Sequence, residues 1–587
     1  MSNKTTNFIA ALLLIFMAVL AIGSITDDSL TMDELAHLPS GYSYLTQRDM
    51  RLNPEHPPLM KDLAGFPLLF IEGIKFPSEI KDWKEDVNGQ WGFGNEFLFK
   101  TGNPADKMIF WGRIPMIALL ILLGFYVFRW TRELFGNKAG LLSLFLYSFS
   151  PTLLAHGGLV TTDVAAAFGV VVATYYFVKF LKDSSKGNLI KAGVALGIAE
   201  LLKFSLILLF PFFGLLVLVW AITKSLNFKE FLRIFFRYVG FYILIVIVSF
   251  AVIWAFYLYH TWNYPPEKQV ADTGFILSSF GSGTLVNLVV WMADKPILKA
   301  IGHYFLGVFM ILQRAAGGNT GFFLGEISAA GWKIYFPLVY AIKEPLAFHT
   351  LLIIALLYCA WLIKKPFWKE PIKRCHYWVK SHFAEFTMLG FIALYWATSL
   401  SSNLNIGVRH LLPVFPFTIL LVSGITTIWL KSPFLKIKRA LIIFLLLWQA
   451  YSVIAIYPHF LAYFNELIGR PERGYLYVTD SNLDWGQNLK RLKKWVDENK
   501  IDKIYVDYFG GADTEYYLKE KYAPWWGTRN PEELSKGSYL AVSATLLQGG
   551  RGEPVPGFNQ PSGYYHWLDN YTPVEVIGNS IFVYQIK

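Results

Sequence analysis

Apolar residues along this chain fall into long, nearly uninterrupted runs, separated by short polar stretches that are mostly basic. The runs lie at about 8–26, 108–128, 139–155, 164–181, 190–204, 206–223, 238–258, 334–363, 384–400, 411–430 and 440–457. A helix rises about 1.5 Å per residue, so about 20 residues cross the roughly 30 Å hydrocarbon layer. The pattern therefore predicts a polytopic helical membrane protein with about eleven transmembrane helices. The stretch 190–223 reads as two short spans or as one re-entrant pair. The first run follows Lys4 and has the makings of a signal peptide ending near Ala21-Ile22-Gly23. Apolar residues continue to Ile25, however, which favours an uncleaved helix.

Composition agrees. Of 587 residues, 54% are apolar, 17% aromatic and only 16% charged, against about 25% charged in soluble domains. That excludes a disordered chain, a collagen and a disulfide-stapled secreted module. Assigning alternate loops inward collects 22 basic residues, from Lys4 through Arg129, Lys182, Arg233, Lys364, Lys365 and Lys373 to Arg439, against Glu133, Asp183, Glu230 and Glu370. The bias of Lys and Arg toward the cytoplasm then places the N-terminus inside and the segment from about 459 outside, in a cell inner or plasma membrane. The net charge of +11 follows from this bias and from membrane lipids beside the basic loops, and it calls for no nucleic acid. Cys359 falls in a helix and Cys375 in an inner loop, and no CxxC or HExxH is present.

Three outer segments are too long to be connectors: about 27–107, 259–333 and 459–587. The last holds 14 basic and 16 acidic residues, with short β-like runs at Lys503–Tyr508, Ser538–Ser543 and Ile581–Ile586 and a helical stretch near 486–499. It reads as a small α/β or α+β extracytoplasmic domain appended to a transmembrane domain of residues 1–458.

The first outer segment carries the most chemistry. Asp33 and Glu34 lie just beyond the first membrane helix, where burial raises and nearby cations lower a carboxylate's proton affinity. A general base acting on a lipid-tailed substrate suits that position. Equally, the two acids suit the positive end of a surface helix that they open. Leu59–Ile74 is apolar apart from Lys61, Asp62 and Glu72 and reads as a helix lying on the outer leaflet.

These residues resemble the family-39 glycosyltransferases of the GT-C superfold, which include dolichyl-phosphate-mannose–protein mannosyltransferases and the aminoarabinose transferases of lipid A. The resemblance rests on Asp33-Glu34, on Glu55-His56-Pro57-Pro58-Leu59, and on Gly331-Trp332-Lys333-Ile334-Tyr335-Phe336-Pro337 followed by Lys343-Glu344-Pro345-Leu346. It extends through Asn405-Ile406-Gly407-Val408-Arg409-His410, Tyr457-Pro458-His459-Phe460-Leu461-Ala462-Tyr463-Phe464-Asn465-Glu466 and Asp480-Ser481-Asn482-Leu483-Asp484-Trp485-Gly486-Gln487, and covers roughly residues 1–500. It implies transfer of a sugar from a polyprenyl-phosphate-linked donor to a protein, lipid or glycan acceptor on the non-cytoplasmic face, with inversion. Asp33 matches the expected base, and Glu34 the neighbour that orients the acceptor. Glu55 is an acceptor-site or loop-site candidate, and His56 stands where the aminoarabinose transferases have Lys.

A leaving polyprenyl phosphate gains negative charge, so fixed cations near the interface should lower the barrier. Candidates are Arg113, Lys203, Lys343, Arg409, His410 and His56. For Lys343 the competing expectation is pairing with Glu344, for Lys203 neutralisation by Glu200 one turn away. Asp163 is either a helix cap or, as the resemblance implies, a functional acid. His156 reads as a helix-end residue, and the segment with Asp480 and Asp484 either caps the following helix, the simpler expectation, or folds back over the active site. Trp262, Tyr264 and Trp291 are available to stack on sugars. No metal is required by these residues, although a divalent metal stays open as a cofactor. Two other classes compete: a secondary transporter, which the asymmetric outer loops and lack of an internal repeat disfavour, and a glycan-binding membrane scaffold.

Overall fold

The computed structural model describes residues 1–363, 369–469 and 471–587. Among them, nine helices are long and apolar enough to cross a membrane: Asn3–Ile25, Ala105–Phe135, Thr162–Lys182, Phe204–Lys224, Phe228–His260, Leu346–Ile363, Phe383–Leu400, Val408–Trp429 and Leu435–Ile456. The pair Asn137–Ser148 and Pro151–Gly157, bent by 62°, makes a tenth if it counts as one span. The expected eleventh, 190–204, is instead the 15-residue helix Lys186–Glu200. At 1.5 Å per residue it reaches only about 22 Å. The run 334–363 is also broken, into Tyr335–Lys343 and Leu346–Ile363. Pro345 is the cause: the residue before a proline is driven out of the helical region, and Glu344 has φ −106° and ψ 148°.

Thr162–Lys182 lies at the centre, buried along nearly its whole length, because Ala165-Ala166-Ala167 and Gly169 let neighbours approach closely. Phe228–His260 and Leu435–Ile456 turn most of their side chains outward. The two ends of the bundle differ in chemistry. At one end, Arg132 donates to Asn7, Lys179 lies 3.4 Å from Glu133, and Lys438 reaches the carbonyl of Trp429. The long segments 27–107, 259–333 and the tail gather at the other. Lys364 and Lys365 of the basic loops lie outside the described residues.

In the tail, a five-stranded sheet runs in the order β4(Tyr522–Pro524)-β3(Ile504–Asp507)-β5(Tyr539–Ser543)-β8(Ile581–Gln585)-β7(Glu575–Ile577). β3 pairs parallel with β4 and β5, while β8 pairs antiparallel with β5 and β7. The helix Leu489–Glu498 precedes it. A second sheet joins two distant segments: β1(Gly321–Phe323) and β2(Glu326–Ser328) form a hairpin, and β6(Glu553–Pro554) adds to β2. The expected surface helix 59–74 is shorter, Pro58–Gly65 followed by a 3-10 turn Phe66–Phe70 that exposes Phe66, Leu69 and Phe70.

Residues 459–488 return to the bundle rather than joining the sheet. Lys343 holds this return: its Nζ donates to the carbonyls of Leu461, Tyr463 and Asn482 at 2.9, 2.6 and 2.6 Å. Farther on, Ser29 Oγ donates to the Gly486 carbonyl at 2.8 Å. Gly486 has φ +96°, and a Cβ there would lie 2.4 Å from Gly510 Cα. Gly486→Ala should therefore cost more than about 1 kcal/mol, measured as a lower melting temperature with new protease cleavage within 480–512.

Candidate active site

The helix Met32–Gln47 begins with two adjacent acids that turn in different directions. Glu34 is fully buried. Its Oε2 accepts from Thr31 N, Thr31 Oγ1 and Arg113 Nη2 at 2.9, 2.9 and 2.6 Å. Its Oε1 accepts from Arg113 Nε and Val160 N, both at 2.9 Å. Burial alone would raise the Glu34 carboxyl, but the Arg113 charge and these hydrogen bonds outweigh it and hold it below the usual range. Arg113 spends its remaining donors on the carbonyls of Ile25, Asp28 and Ser29. Glu34 as acceptor guide and Arg113 as phosphate ligand are thus corrected: neither has capacity left, and together they fix the start of the Asp33 helix against the bundle.

Asp33 faces the other way. Its Oδ2 accepts from Arg409 Nη1 at 2.8 Å, and the same nitrogen lies 3.2 Å from Asp163 Oδ2. Asp163 Oδ1 in turn accepts from Lys203 Nζ at 2.6 Å. Four charged groups, from four parts of the chain, alternate in sign. Asp163 is 1% exposed, Arg409 8%, Lys203 12% and Asp33 26%, so the row opens to solvent at Asp33. Lys203 pairs with Asp163 and not with Glu200, which accepts from Tyr304 instead. Asp163 sits one residue inside its helix, the N-cap position belonging to Thr161. Arg409 also donates from Nε to Ser481 Oγ at 3.0 Å and lies 4.1 Å from the Trp485 ring centroid, a cation–π geometry.

The other expected site residues divide. His410 Nε2 is buried without a partner beside this row. Lys343 is consumed by three carbonyls, which is all an ammonium can donate to, so it is corrected from phosphate ligand to clamp. His56 packs edge-on against His37 at 4.9 Å. Burial, then the charges of His37, Lys61, Lys203 and Arg314, push its ring well below the ordinary histidine range. That favours the neutral ring and weighs against a phosphate-binding cation at this position. Glu55 accepts from Asn88 and Gln90 at 3.1 and 2.6 Å, which places it in the packing of the first loop. Beside it lies Lys61, fully buried, which donates to Tyr44, Asn53 and His56 and is pushed down to about 7 by burial. His156 is a buried helix-end residue packed toward Trp485. Tyr264 is buried on Asp272, whereas Trp262 and Trp291 are exposed.

Two residues were not assigned to the site from sequence. Asp480 has φ 54°, a left-handed conformation that costs a non-glycine residue energy and is concentrated at functional sites. Burial raises its carboxyl to about 6 against the opposing charge of Arg409, and the Asp33 charge adds to the rise. Arg314, exposed in the last turn of the helix Lys299–Gly317, lies within electrostatic reach of Asp480 and His56. Nothing local marked Arg314; Asp480 lay in a recognised motif whose capping role was the simpler expectation. Among the described residues no three His, Cys, Asp or Glu converge as a metal site, and Asp33 and Asp163 turn their carboxylates toward cations of the protein itself.

Residues 105–254, which include Arg113, Asp163 and Lys203, match the family model described as dolichyl-phosphate-mannose-protein mannosyltransferase. The matched stretch holds two members of the charged row, while Asp33 and Arg409 lie outside it. No curated protein is a significant match to the chain. Among solved structures, it is similar to the S. cerevisiae protein O-mannosyltransferase Pmt1–Pmt2 complex bound to the sugar donor, at 20% identity over 45% of this chain and 34% of that one, with a TM-score of 0.33. It is similar also to the Archaeoglobus fulgidus oligosaccharyltransferase AglB in complex with an inhibitory peptide and a dolichol-phosphate (12% identity, 91% and 69% covered, TM-score 0.46). A third is ArnT from Cupriavidus metallidurans bound to undecaprenyl phosphate (12% identity, 100% and 98% covered, TM-score 0.30).

Asp484, fully buried, accepts from Thr545 N at 2.9 Å, and burial raises its carboxyl to about 7. The unfolded chain releases this proton near pH 4, so between about pH 4 and 7 the folded state holds more protons. Its contribution to stability is complete below pH 4 and is lost as pH rises to about 7. Asp484→Asn should melt above the parent at pH 8, with the gap closing toward pH 4. The difference is on the order of a few kcal/mol.

Proposed function

We propose that this protein is an inverting glycosyltransferase that moves a sugar from a polyprenyl-phosphate carrier to an acceptor on the non-cytoplasmic face of the membrane, with Asp33 as general base. The observation that carries this reading is the row Asp33–Arg409–Asp163–Lys203, buried through its middle and most open to solvent at Asp33. The basic flanks lie at the opposite end of the bundle, which supports the non-cytoplasmic placement.

In the resting row the Asp33 carboxylate accepts from Arg409. An incoming donor phosphate competes for that guanidinium, since Arg binds phosphate as readily as carboxylate. As Arg409 turns to the phosphate, Asp33 is released to face the acceptor, while Asp163 keeps the guanidinium in place. Asp33 then takes the proton of an acceptor hydroxyl or amine. The acceptor atom bonds the anomeric carbon, the bond from that carbon to the phosphate oxygen breaks, and the electron pair leaves with polyprenyl phosphate. The added negative charge falls beside Arg409 and Arg314, where fixed cations lower the barrier without reorganisation.

The test is release of bare polyprenyl phosphate from a panel of polyprenyl-phosphate sugars by the purified protein in lipid nanodiscs. Asp33→Asn should lower release by about 10²–10⁴-fold while the donor still binds and the melting temperature holds. Arg314→Ala should weaken donor binding about fivefold to tenfold, equivalent to about 1–1.4 kcal/mol, without changing the melting temperature. Absence of release from every donor, by protein that melts cooperatively, would overturn the reading.

A further inference from the structure

Behind the Asp33 helix lies a concavity with a volume of about 610 Å³. Its floor is Leu35, two residues from Asp33 but on a different face of the helix. One wall comes from the first outer segment, with Trp91, Asn95 and Lys100; the other comes from the tail, with Asp513, Glu515 and Trp525. The size falls within the roughly 300–1,000 Å³ range of ligand pockets.

Topology explains why a hollow forms here. The chain leaves β3 and passes to β4 on one side, then returns across to β5 on the other, and all three strands are parallel. Connections that diverge from the carboxyl end of a central strand leave a crevice, and ligands of open α/β sheets settle in it. The loop after β3 is seated firmly: a Cβ on Gly511 would lie 2.4 Å from the Thr31 carbonyl and 3.0 Å from Leu35 Cβ. Lys100 ties the two walls, with Asp513 Oδ2 and Glu515 Oε2 both 3.0 Å from its Nζ.

The chemistry of the walls is selective. Trp91 is 41% exposed, a large apolar ring face left open to a polar hollow. Carboxylates outnumber cations, since Asp507, Asp513 and Glu515 face Lys100 alone, so an anionic ligand is repelled. An indole face offers its negative quadrupole to the C–H face of a pyranose ring, while carboxylates and Asn95 accept from hydroxyl or ammonium groups.

We propose that this cleft is a saccharide-binding site for a neutral or amine-bearing glycan. It holds the sugar behind the Asp33 helix, and it does not require that Asp33 be a catalytic base.

The test is saturation-transfer NMR and titration calorimetry on the full-length protein in nanodiscs. The probes are mannotriose, a glucosamine trimer and trigalacturonate, respectively neutral, cationic and anionic. At least one of the first two should bind, and trigalacturonate should not. Trp91→Ala should weaken binding by about tenfold, and Asn95→Ala should weaken it as well, both with the parent's melting temperature. Asp33→Asn should leave binding unchanged, which separates this site from the transfer reading. Binding by none of the three, binding of trigalacturonate equal to the others, or full binding by both Trp91→Ala and Asn95→Ala would overturn the proposal.

Discussion

A guanidinium that is nearly out of water must be met by negative charge, and Arg409 is met twice. Asp33 comes from the helix after the first span, and Asp163 from the start of the central span, 130 residues later in the sequence. Leaving a buried charge unpaired costs about 3–5 kcal/mol, so the surrounding helices are constrained to arrive at one place. Ser481 and Trp485 extend the constraint to the returning tail, since one side of the guanidinium donates to a serine and its face covers an indole. The row is therefore a structural junction, and Asp33 is its most exposed member.

How the tail finds this junction is a matter of hydrogen-bond bookkeeping in an apolar setting. Residues 459–488 carry carbonyls into the protein without a regular sheet or long helix to satisfy them. Lys343 serves three of those carbonyls, and Asn465 donates to those of Ala341 and Glu344. A lysine in an apolar run was rightly conspicuous in the sequence. What sequence alone lacked was the partner, because the carbonyls lie more than 115 residues away. Backbone acceptors have no residue identity, and so leave no trace in a motif.

The membrane spans were legible because apolar run length is a direct consequence of bilayer thickness, and the β-runs of the tail because each alternates or is apolar over the length of one strand. The errors lie where run length and structure part company. Lys186–Glu200 packs beside Phe228–His260 and needs no bilayer-length helix of its own. Pro345 breaks a run that hydropathy reads as continuous. In the site, Asp33, Asp163, Lys203 and Arg409 were all named from sequence, and the structure brings them into one row. Arg113 and Glu34 were named too, and they pair with each other outside this row. Arg314 was out of reach, since its significance lies in what the fold places opposite it.

The contrast between Asp33 and Glu34 shows how one step along a helix separates two fates. Successive helical residues point about 100° apart, so adjacent acids cannot share an environment. The inner position receives five hydrogen bonds and a dedicated arginine, and its carboxylate is locked in the charged state with no lone pair to spare. The outer position receives one guanidinium that is already shared with Asp163. The second kind of carboxylate has a counter-charge that is divided between two acids. Glu34 fixes the helix start from which Asp33 projects. A dipeptide of two acids is thus one anchor and one candidate base, and the turn of the helix decides which is which.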